Sequence, residues 1–356
     1  MYAREHSIVP VLVVLMITTC SMREDKMMPQ LPLVMKDSWF NAEPEIVSNL
    51  KGKVVLIDFW DYTCVNCIRT LPYISEWHKR YASKGLIIIG VHAPEFEFAK
   101  ARENVAQAIH DHELEYPIVM DNDFTVWHLF GNRYWPAKYI YDKNGILRYR
   151  RDGEGSYQET ERVIQKLLHE IDSDTELPEP MKPLRDTDVP GAICYRVTPE
   201  MYLGYEQGHI GNQEGQGKTG IGEFQDPKNY REDTYYLSGR WWVGPDNVRL
   251  ISKDNESGSI IVNYLAAEAN LVIRADKEKS FKVYIEQDRK PLTDEDKGDD
   301  ITIESDGRTY VLIEEPRMYA LVKNQSVGRH TLRLTTTSNS FAAYAFTFVS
   351  SCKLSP

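Results

Sequence analysis

The sequence predicts an α/β domain, a mixed sheet with helices on both faces, followed by an all-β domain of sandwich or jelly-roll type. Up to about residue 172, apolar strand-like runs alternate with helical periodicity, the pattern of a sheet covered by helices. Residues 173–192, SDTELPEPMKPLRDTDVPGA, then hold four prolines among many charges and read as a stiff linker. Beyond them the texture changes to short β-branched and aromatic runs divided by turn clusters. A length of 356 residues is enough for two such domains, each with its own core.

The first strand is Val54 to Phe59, apolar on both faces and so buried on both. A polar break at Asp61-Tyr62-Thr63 leads to Cys64-Val65-Asn66-Cys67, and Ile68, Leu71, Ile74, Trp77 and Tyr81 then recur at helical spacing. A strand at Leu86 to His92, a helix from about Glu97 to His112, a short strand Pro117 to Met120 and a helical turn near Phe124 to Phe130 follow. Strands Ala137 to Asp142 and Ile146 to Arg151 flank a turn at Asp142-Lys143-Asn144-Gly145. Ser156 with Glu159 reads as a capping box opening a helix to about Ile171.

In the second half the expected strands are Trp241 to Val243, Val248 to Ser252, Ile260 to Leu265, Leu271 to Arg274, Phe281 to Ile285, Tyr310 to Ile313, Tyr319 to Val322, Thr331 to Thr335 and Ala342 to Val349. Turns at Asp254-Asn255 and Ser305-Asp306-Gly307 separate them, and Gly208 to Gly222 reads as a mobile loop.

The chemistry is concentrated at Cys64 and Cys67. The first cysteine sits where a strand hands over to a helix, so unpaired N–H groups and the macrodipole stabilise its thiolate. The second, one turn along, closes a ring and releases a mixed disulfide. Half of a zinc site is one alternative, but the other cysteines (Cys20, Cys194, Cys352) stand alone in sequence. An inert structural disulfide is another, though so short a loop gives little chain-entropy stabilisation.

The stretches LKGKVVLIDFWDYTCVNC, IRTLPYISEW, GLIIIGVHAPEFEF, YPIVMDNDF, NRYWPAKYIYD and GEGSYQETE occur in that order. Over residues 39–172 the chain thereby resembles the thioredoxin-like domain of the TlpA/DipZ group, extracytoplasmic thiol–disulfide oxidoreductases. TPEMYLGYEQG and the final AYAFTF resemble the carbohydrate-binding-module-like β-sandwich of DipZ, so the likeness is to the soluble portion of that protein. The resemblance implies a thioredoxin-like domain over 37–172, a β-sandwich over 193–356, and a redox-active disulfide with no cofactor or metal. It assigns Cys64 as nucleophile and Cys67 as resolving thiol. Pro136 becomes the cis-proline of a substrate-pairing loop, against a trans proline at a strand's first residue, and Trp60 and Trp135 become substrate contacts. Asp58 matches the buried acid that takes the resolving proton. Glu95, in His92-Ala93-Pro94-Glu95, resembles the acid near TlpA-like sites, an exposed loop acid being the alternative. His92 reads as a satisfied strand-end histidine.

The first 20 residues read as an export segment. Arg4 precedes a short apolar core, Ile8 to Ile17, and Ile17-Thr18-Thr19-Cys20 resembles a lipoprotein box with Thr19 as its departure from the pattern. Cys20 is then the expected lipid anchor, an ordinary cleaved signal peptide being the alternative, and 21–36 a polar tether, either reading placing the protein in the periplasm or cell envelope. There Cys194 and Cys352 either form a structural disulfide or remain two separate buried thiols. No run of about twenty apolar residues predicts a permanent span. A net charge of −11 gives no footprint for nucleic acid.

The expected partners are exported proteins bearing disulfides and a membrane thiol donor of the CcdA/DsbD type. A carbohydrate is a further candidate, stacking on Tyr202, Tyr205, Tyr235, Tyr236, Trp241 or Trp242. An AhpC/TSA-type peroxidase is the rival enzyme, disfavoured because the Pro-x-x-x-Thr-x-x-Cys arrangement is not met: Thr63 directly precedes Cys64. A glycan-binding surface protein with an accessory redox domain is the non-enzymatic rival.

Overall fold

A computed structural model describes residues 26–32, 36–215, 217, 219–253, 256–275 and 280–353. The export segment, Cys20 and the turn at Asp254-Asn255 lie outside the described residues. In the first domain six strands, β1 (Trp39–Phe40), β2 (Val54–Trp60), β3 (Leu86–His92), β4 (Ile118–Met120), β5 (Ala137–Tyr141) and β6 (Leu147–Asp152), form one sheet in the order β1-β4-β3-β2-β5-β6. β2, β3 and β4 run parallel and the other pairings are antiparallel, giving the mixed sheet.

The alternation of β2 divides the core in two. Val54, Leu56 and Trp60 join one cluster with Leu71, Ile74 and Trp77 of α1 (Val65–Tyr81), Val105 of α2 (Arg102–Asp111) and Ile164 of α4 (Tyr157–His169). Val55, Ile57 and Phe59 face the other side, against Val126 and Trp127 of α3 (Thr125–Leu129). Asp58 lies in register with Val54, Leu56 and Trp60, on the face that also buries Cys67.

The helix expected over Glu97 to His112 is broken. Glu97–Lys100 is a 3-10 turn, Ala101 is extended (φ −72°, ψ 124°), and α2 starts after it. The capping box at Ser156 is not formed: its side chain makes no cap bond, because the turn through Gly153 and Gly155 leaves Ser156 left-handed at φ 51°. The stretch expected as a polar tether is partly docked, since Met27 pairs with Ile146, Met28 N–H donates to Gly145 O, and Leu31 is buried. The linker also packs on the first domain. Leu184 N–H donates to the Tyr73 hydroxyl, which donates to Asp188, and Met181 N–H donates to Glu161.

In the second domain eleven strands among the described residues hydrogen-bond into one antiparallel sheet. Four of the expected strands are two long ones: Gly258–Ala275 and Arg317–Thr336 run unbroken, carried through the expected breaks by register shifts between Ala266 and Glu268 and between Ala269 and Asn270. Gly258–Ala275 pairs with Tyr235–Val243 at its start and with Phe341–Val349 at its end, so the sheet curls around one core. The glycine-rich loop is partly strand, Gly220–Phe224 pairing with Tyr235–Val243, while Asn212 is buried and bonded to Leu237.

Val272, Ala342, Tyr344 and Ala345 of this domain belong to the same core cluster as α1 and β2. The Tyr344 ring meets Phe96 at 5.1 Å and Phe98 at 4.9 Å, edge to face.

Candidate active site

Cys64 is the N-cap of α1, with extended backbone (φ −86°, ψ 113°), and its sulfur accepts the Cys67 N–H at 3.2 Å. The two cysteines are joined, Cα atoms 5.2 Å apart. Their environments differ in the way the chemistry requires: Cys64 is half-buried and reachable, whereas Cys67 is 0% exposed. His78, Lys79 and Arg80 in the last turn complement the dipole whose positive end meets Cys64. Pro72 sits inside α1, which continues past it to Tyr81.

Three loops converge on Cys64 and are tied to one another. Asp61, fully buried, accepts the Thr63 N–H at 2.9 Å and the Glu95 N–H at 2.5 Å, fastening the loop before Cys64 to the loop after β3. The Trp135 indole donates to Ala93 O at 3.0 Å, fastening the third loop to the second. The Trp135–Pro136 peptide is cis.

Asp58 is 0% exposed and neither carboxyl oxygen has a hydrogen-bond partner among the described residues. Burial lifts its carboxyl to about 7, and the charge of Lys138 offsets part of that rise. Lys138 stands opposite Asp58 in the β2–β5 register, also 0% exposed, and donates to Gly153 O at 3.3 Å. Burial pushes its ammonium down. The sequence reading missed Lys138, although a lysine inside the apolar strand AKYIY was a visible signal of a buried charge pair.

Glu95 is half-buried at the cleft, not an exposed loop acid, and its Oε1 accepts the hydroxyl of Tyr202 from the second domain. Glu95 and Cys64 line one cleft of about 450 Å³ together with Val65, Trp135, Tyr202 and Phe348. With Val197, Thr198, Pro199, Glu200 and Thr347 also lining it, half of that wall comes from the β-domain.

Trp60 is corrected. It is 0% exposed, its ring edge-on to His92 at 5.2 Å, so it supports the loop from beneath and cannot touch a client. Gly90 leaves it room, a Cβ there falling 3.2 Å from the indole nitrogen. His92 is buried but is not the satisfied histidine expected: neither ring nitrogen has a hydrogen-bond partner among the described residues, Nε2 lies 3.5 Å from Asp61 Oδ1, and the ring stacks on Tyr62. Cys194 and Cys352 face each other across two short paired strands and are bonded, far along the chain from the redox pair. Of the aromatics expected to stack on sugars, Trp241, Tyr235 and Tyr236 are buried, Trp242 carries the Arg249 guanidinium at 3.9 Å, and Tyr202 is engaged with Glu95. Tyr205 alone of the six is 47% exposed.

Among protein families, the chain matches the AhpC/TSA family over residues 36–150 and the "Thioredoxin like C-terminal domain" over residues 198–348. It is 35% identical over 240 residues to the protein DipZ of Mycobacterium bovis, covering 66% of this chain and 33% of DipZ. The chain thus spans about a third of the length of that relative. It is 28% identical over 144 residues to the thiol-disulfide oxidoreductase YkuV of Bacillus subtilis, which covers 40% of this chain and 97% of YkuV. A solved thioredoxin-like protein in the oxidised form aligns over 42% of this chain with a TM-score of 0.38.

Proposed function

We propose that this TlpA/DipZ-like chain, a thioredoxin-like domain of the thiol–disulfide oxidoreductase class followed by an all-β domain, reduces disulfides of exported client proteins. The supporting observation is the asymmetry of the pair, one sulfur reachable at a helix tip and its partner sealed behind it. In the reduced protein the Cys64 thiolate attacks one sulfur of the client disulfide, forming a mixed disulfide and expelling a client thiolate. Cys67, its proton taken by Asp58, attacks Cys64 Sγ, re-forming the Cys64–Cys67 bond and expelling the second client thiolate. Two electrons pass to the client. A membrane thiol donor of the CcdA/DsbD type, acting in the same chemistry in reverse, restores the dithiol.

Export rests on the N-terminal segment, with Cys20 as the proposed lipid anchor in the periplasm or envelope. The disulfide itself is the whole redox group in this reading, with no cofactor or metal. A redox titration of the Cys64–Cys67 pair tests the direction of transfer. A potential nearer thioredoxin's, about −270 mV, is expected; one near DsbA's, about −120 mV, reverses the assignment to oxidase. Consumption of peroxide by the reduced protein would instead favour the peroxidase chemistry suggested by the AhpC/TSA match.

A further inference from the structure

Tyr202 and Glu200 belong to the all-β domain, yet both line the cleft that opens onto Cys64. The Tyr202 hydroxyl donates to Glu95 Oε1 and also lies 3.3 Å from Glu200 Oε2. One phenolic hydrogen cannot serve two carboxylates at once. Two carboxyls thus compete for one donor beside each other in a partly buried cleft, and a proton kept on the pair relieves their repulsion. Both ends of the cluster are anchored. The Glu95 backbone is fastened through Asp61 to Thr63, the residue before Cys64. Tyr202 is fixed by strand pairing with Ala345 and by Leu203 N–H donating to Tyr344 O at 2.6 Å, while the Tyr344 ring packs on Phe96 and Phe98, just after Glu95.

We propose that Tyr202 and Glu200 are positioning residues that hold Glu95, and a proton shared with it, at the mouth of the Cys64–Cys67 disulfide, so that the proton for the departing client thiolate comes from a cluster assembled by both domains. The inference rests on the oxidoreductase reading. In the step itself the Glu95 carboxylic acid gives its proton to the expelled thiolate, leaving a carboxylate and a free client thiol. The carboxylate is reprotonated from water through Glu200, which is exposed at the rim. The charged and titratable groups acting on Glu95 are Asp61 from the cysteine loop, with His92 behind it, and Glu200 and Tyr202 from the β-domain, while Arg133 of the cis-proline loop lines the same cleft. Burial, the Glu200 charge and the Asp61 charge push the Glu95 carboxyl up to about 8, against the hydrogen bond of Tyr202, which draws it down.

Two substitutions in the second domain therefore act in opposite senses. Tyr202→Phe removes the donor that favours the carboxylate and moves the Glu95 titration up. Glu200→Gln removes a like charge and moves it down. Each shift is expected to be about half a unit to one unit. The measurements are made on the full chain: carboxyl carbon NMR of Glu95 in the oxidised protein, and the pH profile for reduction of a small peptide disulfide by the reduced protein. Opposite shifts in both support the cluster. No shift, or shifts in one direction for both variants, as a loosened and rehydrated interface would give, overturn it. Absence of peptide reduction at every pH sinks the oxidoreductase reading, and the NMR titration still decides whether Tyr202 and Glu200 set the state of Glu95.

Discussion

Asp58→Asn removes a buried charge and keeps the side chain's shape. In the folded protein the carboxyl titrates at about 7, in the unfolded chain near its ordinary 3.8. The folded value is raised, so the sign is unfavourable to the folded state as pH increases. Below about pH 4 both states hold the proton and the wild type carries no penalty. Between about 4 and 7 the unfolded chain has released a proton that the folded chain retains, and stability falls by about 1.4 kcal/mol per pH unit. Above about 7 the loss levels off at roughly 4 kcal/mol. The attraction of Lys138 is already contained in this figure, since it offsets part of the burial term. Asp58→Asn should therefore gain roughly 4 kcal/mol over the wild type at pH 8 relative to their difference at pH 4. Urea unfolding across this range, followed by the fluorescence of buried Trp60 and Trp77, reads the effect. Stability curves that run parallel with pH would refute the reasoning, because they require a solvated or permanently charged Asp58. The same variant should release mixed disulfides more slowly, the group that takes the Cys67 proton being gone.

Two other variants test the division of labour between the cysteines and the role of the second bridge. Cys64→Ser should abolish turnover, whereas Cys67→Ser should accumulate one-to-one disulfide adducts with clients, visible by mass spectrometry and lost on adding a strong thiol reductant. Replacing Cys194 and Cys352 by Ser opens a loop of sequence separation 158, which on chain entropy should weaken the second domain by about 5 kcal/mol in urea unfolding; an unchanged midpoint would mean that the bridge adds nothing.

The parts of the site that lie within a few residues of each other were legible from the sequence. Cys64 and Cys67 fall where an apolar strand hands over to a helix of period 3.6, and Asp58 lies near the end of that strand, its role implied by the family likeness. Pro136 and Glu95 came from the family likeness. The failures share a cause, which is that tertiary contacts override local signals. The family likeness made Trp60 a substrate contact, but β2 is central and the even-numbered face on which Trp60 lies is sealed by α1 and α4. Ser156 carries a cap signature, yet the glycines before it set the backbone into a region where the side chain cannot reach. Tyr202 stands 107 residues from Glu95, and no periodicity links them. Its aromatic character suggested a sugar platform, whereas what matters is its hydroxyl.

Cys352 lies beside Cys194, so the β-domain's chain enters and leaves at one spot. A segment with coincident ends behaves as a cassette. It can be excised, permuted by joining its termini and cutting a surface turn such as Ser305–Gly307, or spliced into a host loop without stretching either neighbour. Transplanted beside the disulfide of an unrelated thioredoxin-fold protein, it would carry its tyrosine with it, and would show whether control of a neighbouring carboxyl travels with the cassette.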